Sequence, residues 1–486
     1  MTSAQQHFPL KLVGKTKSND SYTEVVSPYN ESIIATIEQA DEDDIELALN
    51  TAHALFSERK SWLPITQRIA ILERAMELMQ QQADSLAKGA AEEGGKPLTD
   101  SKVEMARCID SIRVCVDTLR HNVCKPVPMG VNAAAQHRFT IMNKEPIGVV
   151  VAISAFNHPL NLIAHQVGPA IASGCPVIVK PAQKTPLSCL RLVDIFHQAG
   201  LPESWCQMVL PNSHGLTETL VTDRRVAFLS FIGNAKVGWS LRSKLAPGAR
   251  CALEHGGVAP VVMTASADIE AAIPGLAKGS FYHAGQVCVS VQRIYAHHSI
   301  AREVADRLVA EAENMTVGDP LSEDTDVGPL IKPSEVVRVS SWVQQAVDGG
   351  AELLCGGGSL PKNCYQPTVL FNPPVDSKVS TQEVFGPVVC VYPFDELDDA
   401  ITAANSLDVA FQASVYSQNI NDAMYVADRL DASSVMVNEQ TAFRVDWMPF
   451  AGLKHSGYGT GGVPYTMEDM QVEKMIVITS KSIRDS

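Results

Sequence analysis

The sequence lacks the features of several classes of protein. Its 486 residues include 39 Lys and Arg against 54 Asp and Glu, a net charge of −15, and no run of basic residues offsets that balance. Such a surface repels nucleic acid and anionic membranes, so we expect neither as a partner. The longest apolar run, residues 147–156, is about half of a membrane span. The N-terminus has no basic head followed by an apolar core, so we expect no secretory signal.

Patterns for metal sites and disulfides are also missing. The sequence contains no CxxC pair and no HExxH motif, and His297 and His298 are adjacent, a spacing that does not converge on one metal ion. We therefore expect no metal. The 11 cysteines are an odd number spread over a long chain, which indicates reduced, mostly buried thiols in a cytoplasmic protein. With 45% hydrophobic and 19% charged residues, the composition excludes a mainly disordered chain.

What the sequence does contain is a long alternation of strand and helix patterns. Residues 147–154 form a continuous apolar run with several β-branched members, which is typical of a strand buried on both faces of a parallel sheet. A helical stretch follows and ends at Gly174, and Pro186 opens another that ends near Gly200. Further strands are predicted at 176–180, 206–210 and 226–233. This alternation predicts βαβ units and a doubly wound sheet, so residues 145–255 indicate a dinucleotide-binding fold.

The flanking regions give coarser predictions. Residues 22–60 indicate short strands and an acidic helix, and Pro64 opens a helix predicted to run through Leu86 to Gly94 and Gly95. A second alternating region, about 257–455, predicts another α/β domain. Residues 471–480 alternate with period two and predict a strand that pairs elsewhere, as with a partner subunit. The predicted apolar face of the helix after Pro64 comprises Ile65, Ile69, Leu72, Met76 and Met79.

Two glycine-rich segments imitate nucleotide-binding motifs. Residues 457–462 satisfy G-x-G-x-x-G, but the flanking sequence favours a flexible or tightly turned loop. Residues 233–238 have P-loop glycine spacing, yet Trp239 and Ser240 stand where Lys and Ser or Thr belong, which excludes a triphosphate site. The second segment follows a predicted strand, where a glycine lets a diphosphate approach a helix N-terminus.

Four further segments carry candidate chemistry. Asn157 follows a strand at the sheet edge where ligands bind, and its amide either donates to an oxyanion or caps the next helix. Lys180 also ends a strand, where it meets a ribose or phosphate or is simply solvated. Glu254 follows an apolar strand, where desolvation makes it a general base, unless it is an ordinary turn carboxylate. Cys288 lies in a Gly-Gln-x-Cys context and is the candidate nucleophile among cysteines that are otherwise inert.

Together these segments resemble the NAD(P)-dependent aldehyde dehydrogenase superfamily over nearly the whole chain. The resemblance rests on the order and spacing of several short motifs, each weak alone. The matching pieces are FNHP, KPAQKTP, FIGNAKVG, LEHGG, GQVC, EVFGPV and PFAGLKHSGYG.

The resemblance implies a division of catalytic roles. Cys288 is expected to attack an aldehyde and give a thiohemiacetal. Asn157 and the Cys288 backbone N–H would form the oxyanion hole. Hydride transfer to the nicotinamide would leave a thioester, and Glu254 would activate the water that hydrolyses it.

The resemblance also implies a cofactor site. Lys180 matches the contact to the adenosine ribose and Glu383 the contact to the nicotinamide ribose, with Phe385 nearby. Gly233 and Asn234 match the turn that meets the diphosphate. Ile153, Phe156 and Val237 complete the expected contacts.

Several residues depart from the family pattern. Members that prefer NAD usually carry Glu where Gln183 stands, and that Glu repels a 2′-phosphate. Gln183 removes the repulsion and Lys184 adds a positive charge, so we predict that NADP is accepted. Phe156 replaces a commoner Trp, and Asn234 stands where Ser is common. His255 stands where Leu is common, and the sequence offers no account of it.

The substrate is indicated by three cations. His158, Arg107 and Arg444 lie in segments that the family uses near the substrate channel. Together they would bind a small hydroxylated or anionic aldehyde of the lactaldehyde, glyceraldehyde or semialdehyde kind. The alternative is that they are ordinary surface or structural cations.

The expected fold is α/β, with three parts. A Rossmann-type cofactor domain would take residues 1–122 and 142–256, and a catalytic α/β domain 257–454. A small β oligomerisation part would combine 123–141 with 455–486, which implies a homodimer or homotetramer. The rival interpretations are a CoA-acylating aldehyde dehydrogenase, a non-redox thiol hydrolase and a non-catalytic relative.

Overall fold

The structure is a computed structural model, and it describes residues 6–121 and 125–483. The elements before residue 122 are β1 (Gln6–Phe8), β2 (Tyr22–Val26), β3 (Ile33–Glu38), α1 (Glu42–Ser57), α2 (Ile65–Gln81), α3 (Ala83–Gly94) and α4 (Leu98–Arg120). Those that follow, to residue 254, are β4 (Arg138–Pro146), β5 (Val149–Ile153), α5 (Asn161–Ser173), β6 (Val177–Lys180), α6 (Pro186–Gln198), β7 (Cys206–Met208), α7 (His214–Thr222), β8 (Val226–Ile232), α8 (Ala235–Arg242) and β9 (Arg250–Glu254).

The remaining elements form the second half of the chain. They are β10 (Ala259–Met263), α9 (Ile269–Phe281), β11 (Val291–His297), α10 (His298–Asn314), α11 (Pro333–Asp348), β12 (Glu352–Cys355), β13 (Thr368–Phe371), α12 (Lys378–Thr381), β14 (Val388–Phe394), α13 (Leu397–Asn405), β15 (Val409–Ala410), β16 (Gln412–Tyr416), α14 (Ile420–Arg429), β17 (Ser434–Val437), β18 (Leu453–Lys454), β19 (Gly457–Tyr458), α15 (Val463–Asp469) and β20 (Gln471–Thr479).

The first large sheet has the order β19-β9-β8-β5-β6-β7. All its strands are parallel except β19, which runs antiparallel to β9. Strand β5 is buried at every position, as its unbroken apolar run predicted. The doubly wound sheet is therefore confirmed, and its carboxyl edge carries Ile153, Lys180, Ile232 and Glu254.

The second large sheet has the order β12-β13-β14-β11-β10-β16-β17. Its strands are parallel except for the β12–β13 pair. Two separate apolar cores accompany the two sheets. The α/β fold class is thus confirmed, with two parallel-sheet units.

Helices α2 and α3 correct the prediction of one helix from Pro64 to Gly94. The helix breaks at Gln82, whose ψ is 8°. Leu72, Met79 and Leu86 keep a seven-residue spacing across the break, which is why periodicity did not reveal it. The predicted apolar face was also partly wrong, since Ile65 is 50% exposed and the buried positions of α2 are Ile71, Leu72, Ala75, Leu78 and Met79.

Strand β20 lies beside β4 in a two-stranded antiparallel sheet. The C-terminal strand therefore pairs within its own chain, and β4 crosses the predicted boundary at 141/142. Most of β20 is exposed, including the apolar residues 475–478. Residues 1–5, 122–124 and 484–486, which fall in the predicted domains, lie outside the described residues.

The glycine-rich segment 457–462 is only partly a loop. Gly457 and Tyr458 form β19, and α15 begins at Val463. Because β19 is antiparallel to β9, the segment is no βαβ turn. In the described part of the chain, no helix has the length and apolar character needed to span a membrane.

Candidate active site

A cavity of about 1050 Å³ opens at the carboxyl edge of the first sheet and reaches the loops of the second half of the chain. It collects every site residue predicted from the sequence, whereas Lys184 does not line it. These residues are Arg107, Ile153, Phe156, Asn157, His158, Lys180, Gln183, Gly233, Asn234, Val237, Glu254, Cys288, Glu383, Phe385 and Arg444.

Cys288 follows a strained segment of backbone. His283 and Ala284 have φ of 50° and 54°, and Gly285 has 68°, so three successive residues are left-handed. This turn brings the half-buried Cys288 to the cavity. Burial raises the pKa of its thiol to about 12, and the charge of Arg444 opposes the rise. The thiol therefore stays protonated until a base or a bound ligand changes its surroundings.

Asn157 does not cap the following helix, which rules out the alternative left open by the sequence. Its side-chain Nδ2 instead donates to the Gln286 carbonyl at 2.9 Å. An amide nitrogen has two hydrogens, so the second remains for a ligand oxygen. Helix α5 is capped from another helix, because the carboxylate of Glu104 accepts from Leu160 N and Asn161 N at 2.8 and 2.9 Å.

Glu254 is the last residue of β9, and its carboxylate rests against Gly461. A Cβ built on Gly461 would lie 2.0 Å from Glu254 Oε1. Burial raises the pKa of Glu254, and the charge of Arg444 opposes that rise. A carboxylate with a raised pKa is a better proton acceptor than an ordinary surface glutamate.

The far end of the cavity carries a cation and a turn. Burial lowers the pKa of Lys180 to about 8, and its ammonium has no hydrogen-bond or ion-pair partner among the residues described. Asn234 caps α8 by accepting from Lys236 N at 2.9 Å. His255 Nδ1 donates to Gly233 O at 2.9 Å, which ties this turn to the end of β9. His255 thus has the structural account that the sequence did not supply.

Glu383 and Phe385 also line the cavity. Burial raises the pKa of Glu383 to about 8, and its Oε1 is buried without a partner. Phe385 has a φ of 45° and packs edge-on against Phe156 at 5.8 Å between ring centroids. The unpartnered Glu383 oxygen, the unpartnered Lys180 ammonium and the capped turn fit the riboses and diphosphate of a nicotinamide dinucleotide.

The other end is cationic and hydrogen-bonded. Arg107 makes a bidentate pair with Asp446, through Nε at 3.1 Å and Nη2 at 2.7 Å. His165 Nε2 donates to the same carboxylate at 2.7 Å, and Arg444 Nη2 donates to His165 Nδ1 at 3.4 Å. Burial alone would raise the pKa of Asp446, but the bonds from His165 and Arg107 hold it well below the usual range.

Arg444 differs from Arg107 in having no ion pair within the described residues. Its Nε is buried without a partner, and its guanidinium lies 3.6 Å from the Phe450 ring centroid. Burial lowers the pKa of Arg444. His158 is hydrogen-bonded to the Tyr282 hydroxyl, and burial lowers the pKa of His158 well below its usual value. His158 is therefore a neutral group.

Sequence reasoning missed the residues that hold this end together. Asp446, His165 and Tyr282 lie within or beside segments already singled out, but no spacing rule links positions so distant in the chain. A signal was present in α5, where Asn161 and His165 are polar residues in an apolar helix. In the described ranges 6–121 and 125–483, no group of three or more His, Cys, Asp or Glu is arranged to hold a metal ion.

A doubly wound sheet with a large cavity at its carboxyl edge is the setting of a dinucleotide-dependent oxidoreductase. The chain matches the aldehyde dehydrogenase family over residues 15–476. It is similar to the 3-sulfolactaldehyde dehydrogenase of Priestia megaterium, with 34% identity over 480 residues that cover 98% of this chain and 100% of the relative.

Solved structures agree. Aldehyde dehydrogenase 21 from Physcomitrella patens, in complex with the reaction product succinate, has a TM-score of 0.94 and 32% identity, covering 99% of this chain and 100% of the other. Glyceraldehyde-3-phosphate dehydrogenase GapN from Methanocaldococcus jannaschii, complexed with NADP, has a TM-score of 0.90 and 33% identity, covering 96% and 100%. The chain belongs to the aldehyde dehydrogenase family and is an NAD(P)-dependent enzyme.

Proposed function

We propose that the protein oxidises a small anionic aldehyde to its carboxylic acid through a covalent intermediate on Cys288. One observation carries this proposal: Cys288, Asn157 and Glu254 line the same cavity as Lys180 and Glu383. A nucleophile, an amide donor and a base therefore share one space with the groups suited to a dinucleotide.

The first step is attack of the Cys288 sulfur on the aldehyde carbon. The thiol must lose its proton to solvent water as the bond forms, because burial keeps it neutral in the free protein. Asn157 Nδ2 and the Cys288 backbone N–H donate to the oxygen, which becomes the oxyanion of a thiohemiacetal. Gln286 O fixes the amide for this task by accepting its other hydrogen.

The second stage releases the acid. A bound nicotinamide dinucleotide would supply the hydride acceptor here. Loss of hydride from the thiohemiacetal carbon would leave a thioester on Cys288. Glu254 removes a proton from water, and the resulting nucleophile displaces the sulfur. Its raised pKa suits this role near neutral pH.

The site also supports acceptance of NADP. Gln183 lines the cavity at the end that contains Lys180, and it brings no negative charge against a 2′-phosphate. Lys184 lies outside the cavity lining, so we assign acceptance to Gln183 and Lys180 alone. The similarity to an NADP-complexed enzyme supports the same choice.

The anionic tail of the substrate is assigned to Arg444 and Arg107. Arg444 has an unpartnered donor and no ion pair among described residues, so its charge is available to a ligand. Arg107 already pairs with Asp446 and offers only its remaining guanidinium nitrogen. Two similar proteins support this assignment. One is named for 3-sulfolactaldehyde, and the other was crystallised with the reaction product succinate; both are small anions.

The proposed assembly and location rest on surface exposure and on the state of the cysteines. The exposed apolar residues 475–478 of β20 offer a face for a second copy, in a homodimer or homotetramer. A cytoplasmic location agrees with ten free cysteines among the described residues. The two β-strands β4 and β20 would then form the oligomerisation part.

A panel of aldehydes, assayed with NAD and with NADP by absorbance of the reduced cofactor, tests the proposal. We expect the highest kcat/KM for three- or four-carbon aldehydes with a terminal anion, turnover with NADP, and no requirement for CoA. Cys288→Ala should abolish turnover and retain cofactor binding. Dependence on CoA would favour the acylating alternative, and ester hydrolysis without cofactor reduction would favour a thiol hydrolase.

A further inference from the structure

We propose that Glu104 is a positioning residue for the oxyanion amide of Asn157, acting from helix α4 through the N-terminus of helix α5. The inference rests on the proposed function, since it concerns the same oxyanion. Glu104 touches neither substrate nor cofactor in this scheme, because it does not line the cavity.

Helix α5 cannot cap itself. Its N-cap residue is Leu160, which has no side-chain acceptor, and Pro159 precedes it. The first N–H groups of a helix need partners, and a buried one without a partner is costly. Glu104 supplies both missing bonds through Oε1, which accepts from Leu160 N at 2.8 Å and from Asn161 N at 2.9 Å.

The second oxygen of Glu104 is held as firmly as the first. Lys96 Nζ donates to Oε2, and Lys96 and Glu104 are 1% and 2% exposed. Lys96 lies just before α4, so the ion pair ties the α3–α4 turn to the helix. A carboxylate with all its partners in place has one orientation, which is what a positioning group requires.

Asn157 stands close to this cap. Only His158 and Pro159 separate it from Leu160, so a shift of the helix start moves the amide. Because Glu104 takes over the capping, Asn157 is free to donate to Gln286 O at 2.9 Å. The oxyanion role of Asn157 therefore depends on the cap that Glu104 provides.

Gln286, which accepts the Asn157 hydrogen bond, is held by a loop that also contacts the α3–α4 turn. Gln286 accepts from Ile331 N at 3.0 Å and donates to Pro329 O at 3.3 Å. Gly328, next in the chain, packs against the turn so closely that a Cβ there would lie 2.0 Å from Gly95 O. The α3–α4 turn thus contacts both the helix that carries Asn157 and the loop that holds its acceptor.

The expected loss of kcat follows from how strongly the rate depends on the placement of a catalytic group. Misplacement of a reacting group by about 1 Å costs on the order of 10²-fold in rate, and loss of an oxyanion donor costs about 10²- to 10³-fold. Loss of the cap should therefore lower kcat by roughly 10- to 100-fold. The KM for cofactor should change much less than kcat, since α5 carries none of the assigned cofactor contacts and only Phe156 adjoins Asn157.

Two double variants isolate the acceptor oxygen. Both Lys96→Met/Glu104→Leu and Lys96→Met/Glu104→Gln remove the buried ion pair without leaving a lone charge, a change that cores tolerate. Only the Gln variant keeps an oxygen for Leu160 N and Asn161 N. We expect the Leu variant to lose 10- to 100-fold in kcat and the Gln variant to stay within about threefold of wild type.

A matched control exists elsewhere in the chain. Glu38 is fully buried, accepts from Leu10 N and Asn19 N, and does not line the cavity. The variant Glu38→Leu removes two backbone acceptor bonds in the same way and leaves Lys15 paired with Asp44 at 2.5 Å, so no lone charge is created, and we expect its kcat to stay within about threefold of wild type. An equal loss in this control would make the effect one of general destabilisation and overturn the proposal.

The decisive measurement repeats the Leu and Gln variants in an Asn157→Ala background. With the amide gone, the difference between them should collapse to within about threefold, whereas multiplied effects would refute positioning. Hydrogen exchange of residues 158–163, measured without substrate, should be faster in the Leu variant only; equal exchange would also refute it. If wild-type protein turns over no aldehyde, the proposed function fails, while the exchange result still tests the cap.

Discussion

Replacement of Arg444 by Met should separate substrate recognition from stability. The guanidinium has no carboxylate ion pair among the described residues and one buried unpartnered nitrogen. Its charge acts on Cys288 and Glu254 only through space, so it remains available to a substrate anion. A charge-assisted hydrogen bond to a substrate anion contributes about 1.5–3 kcal/mol. At 1.4 kcal/mol per factor of ten, the KM for an anionic aldehyde should rise about 10- to 150-fold.

Arg444→Met should not lower the free energy of unfolding in the way that loss of an ordinary ion-pair partner does. Methionine packs on the Phe450 ring in place of the guanidinium, and removal of a partly desolvated, unpaired charge relieves a cost. We expect the free energy of unfolding of Arg444→Met to be no more than about 1 kcal/mol below wild type. Arg107→Met should destabilise clearly, because Asp446, 2% exposed, loses its bidentate partner.

The assay compares two aldehydes of equal length, one ending in a carboxylate and one in an uncharged amide. Steady-state kinetics at saturating cofactor gives both KM values, and denaturant unfolding gives the stability of each variant. The reasoning is refuted if the two aldehydes lose affinity equally, or if Arg444→Met destabilises as much as Arg107→Met.

Four further predictions concern catalysis, the cofactor and stability. Glu254→Gln should release one reduced cofactor per chain in a burst and then stall, since the thioester forms but is not hydrolysed. Steady-state turnover should fall about 10²- to 10⁴-fold. A stopped-flow trace with no burst would contradict the role of Glu254 in hydrolysis of the thioester. Because burial raises the pKa of Glu254, the acid limb of wild-type turnover should lie above the ordinary carboxyl range of about 4.3, and a limb at or below it would contradict the assignment. Gln183→Glu should raise the KM for NADP several-fold and leave that for NAD nearly unchanged, as a new carboxylate repels only the 2′-phosphate. Glu93 accepts from Leu187 N and Ser188 N at the start of α6, and burial raises its pKa to about 7. Because ionisation of such a carboxyl costs the folded state, the free energy of unfolding of wild type should fall relative to that of Glu93→Gln as pH rises from about 4 to about 7, as read by denaturant unfolding; a difference that does not change with pH would contradict this.

Much of the fold could be predicted from the sequence because its signals are local. Strand β5 is an unbroken apolar run, and α6 begins with Pro186, so neither needed knowledge of distant residues. The break at Gln82 escaped because apolar spacing continues across it. Most of the predicted site residues belong to motifs at a strand end or a turn, whereas Arg107 and Val237 lie in helices α4 and α8.

The network behind the site could not be found in that way. Glu104 reaches Leu160, and Asp446 reaches Arg107, across large separations in the chain. Such pairs form only when helix α4 packs against α5 and against the loop between β17 and β18, and no periodicity records which polar groups then face each other. Asn157 is an example: its own sequence surroundings favoured a helix cap, but the carboxylate of Glu104 makes those bonds and Asn157 donates to Gln286 O instead.

The ten cysteines that the structure describes share one property: burial raises the pKa of every one of them, Cys288 included. Peroxide and electrophiles react with thiolates far faster than with neutral thiols. In the free protein we therefore expect slow alkylation of these thiols near neutral pH. Among the described cysteines Cys288 alone lines the cavity, so a bound cofactor or substrate that changes its surroundings should speed the modification of Cys288 and not that of the others.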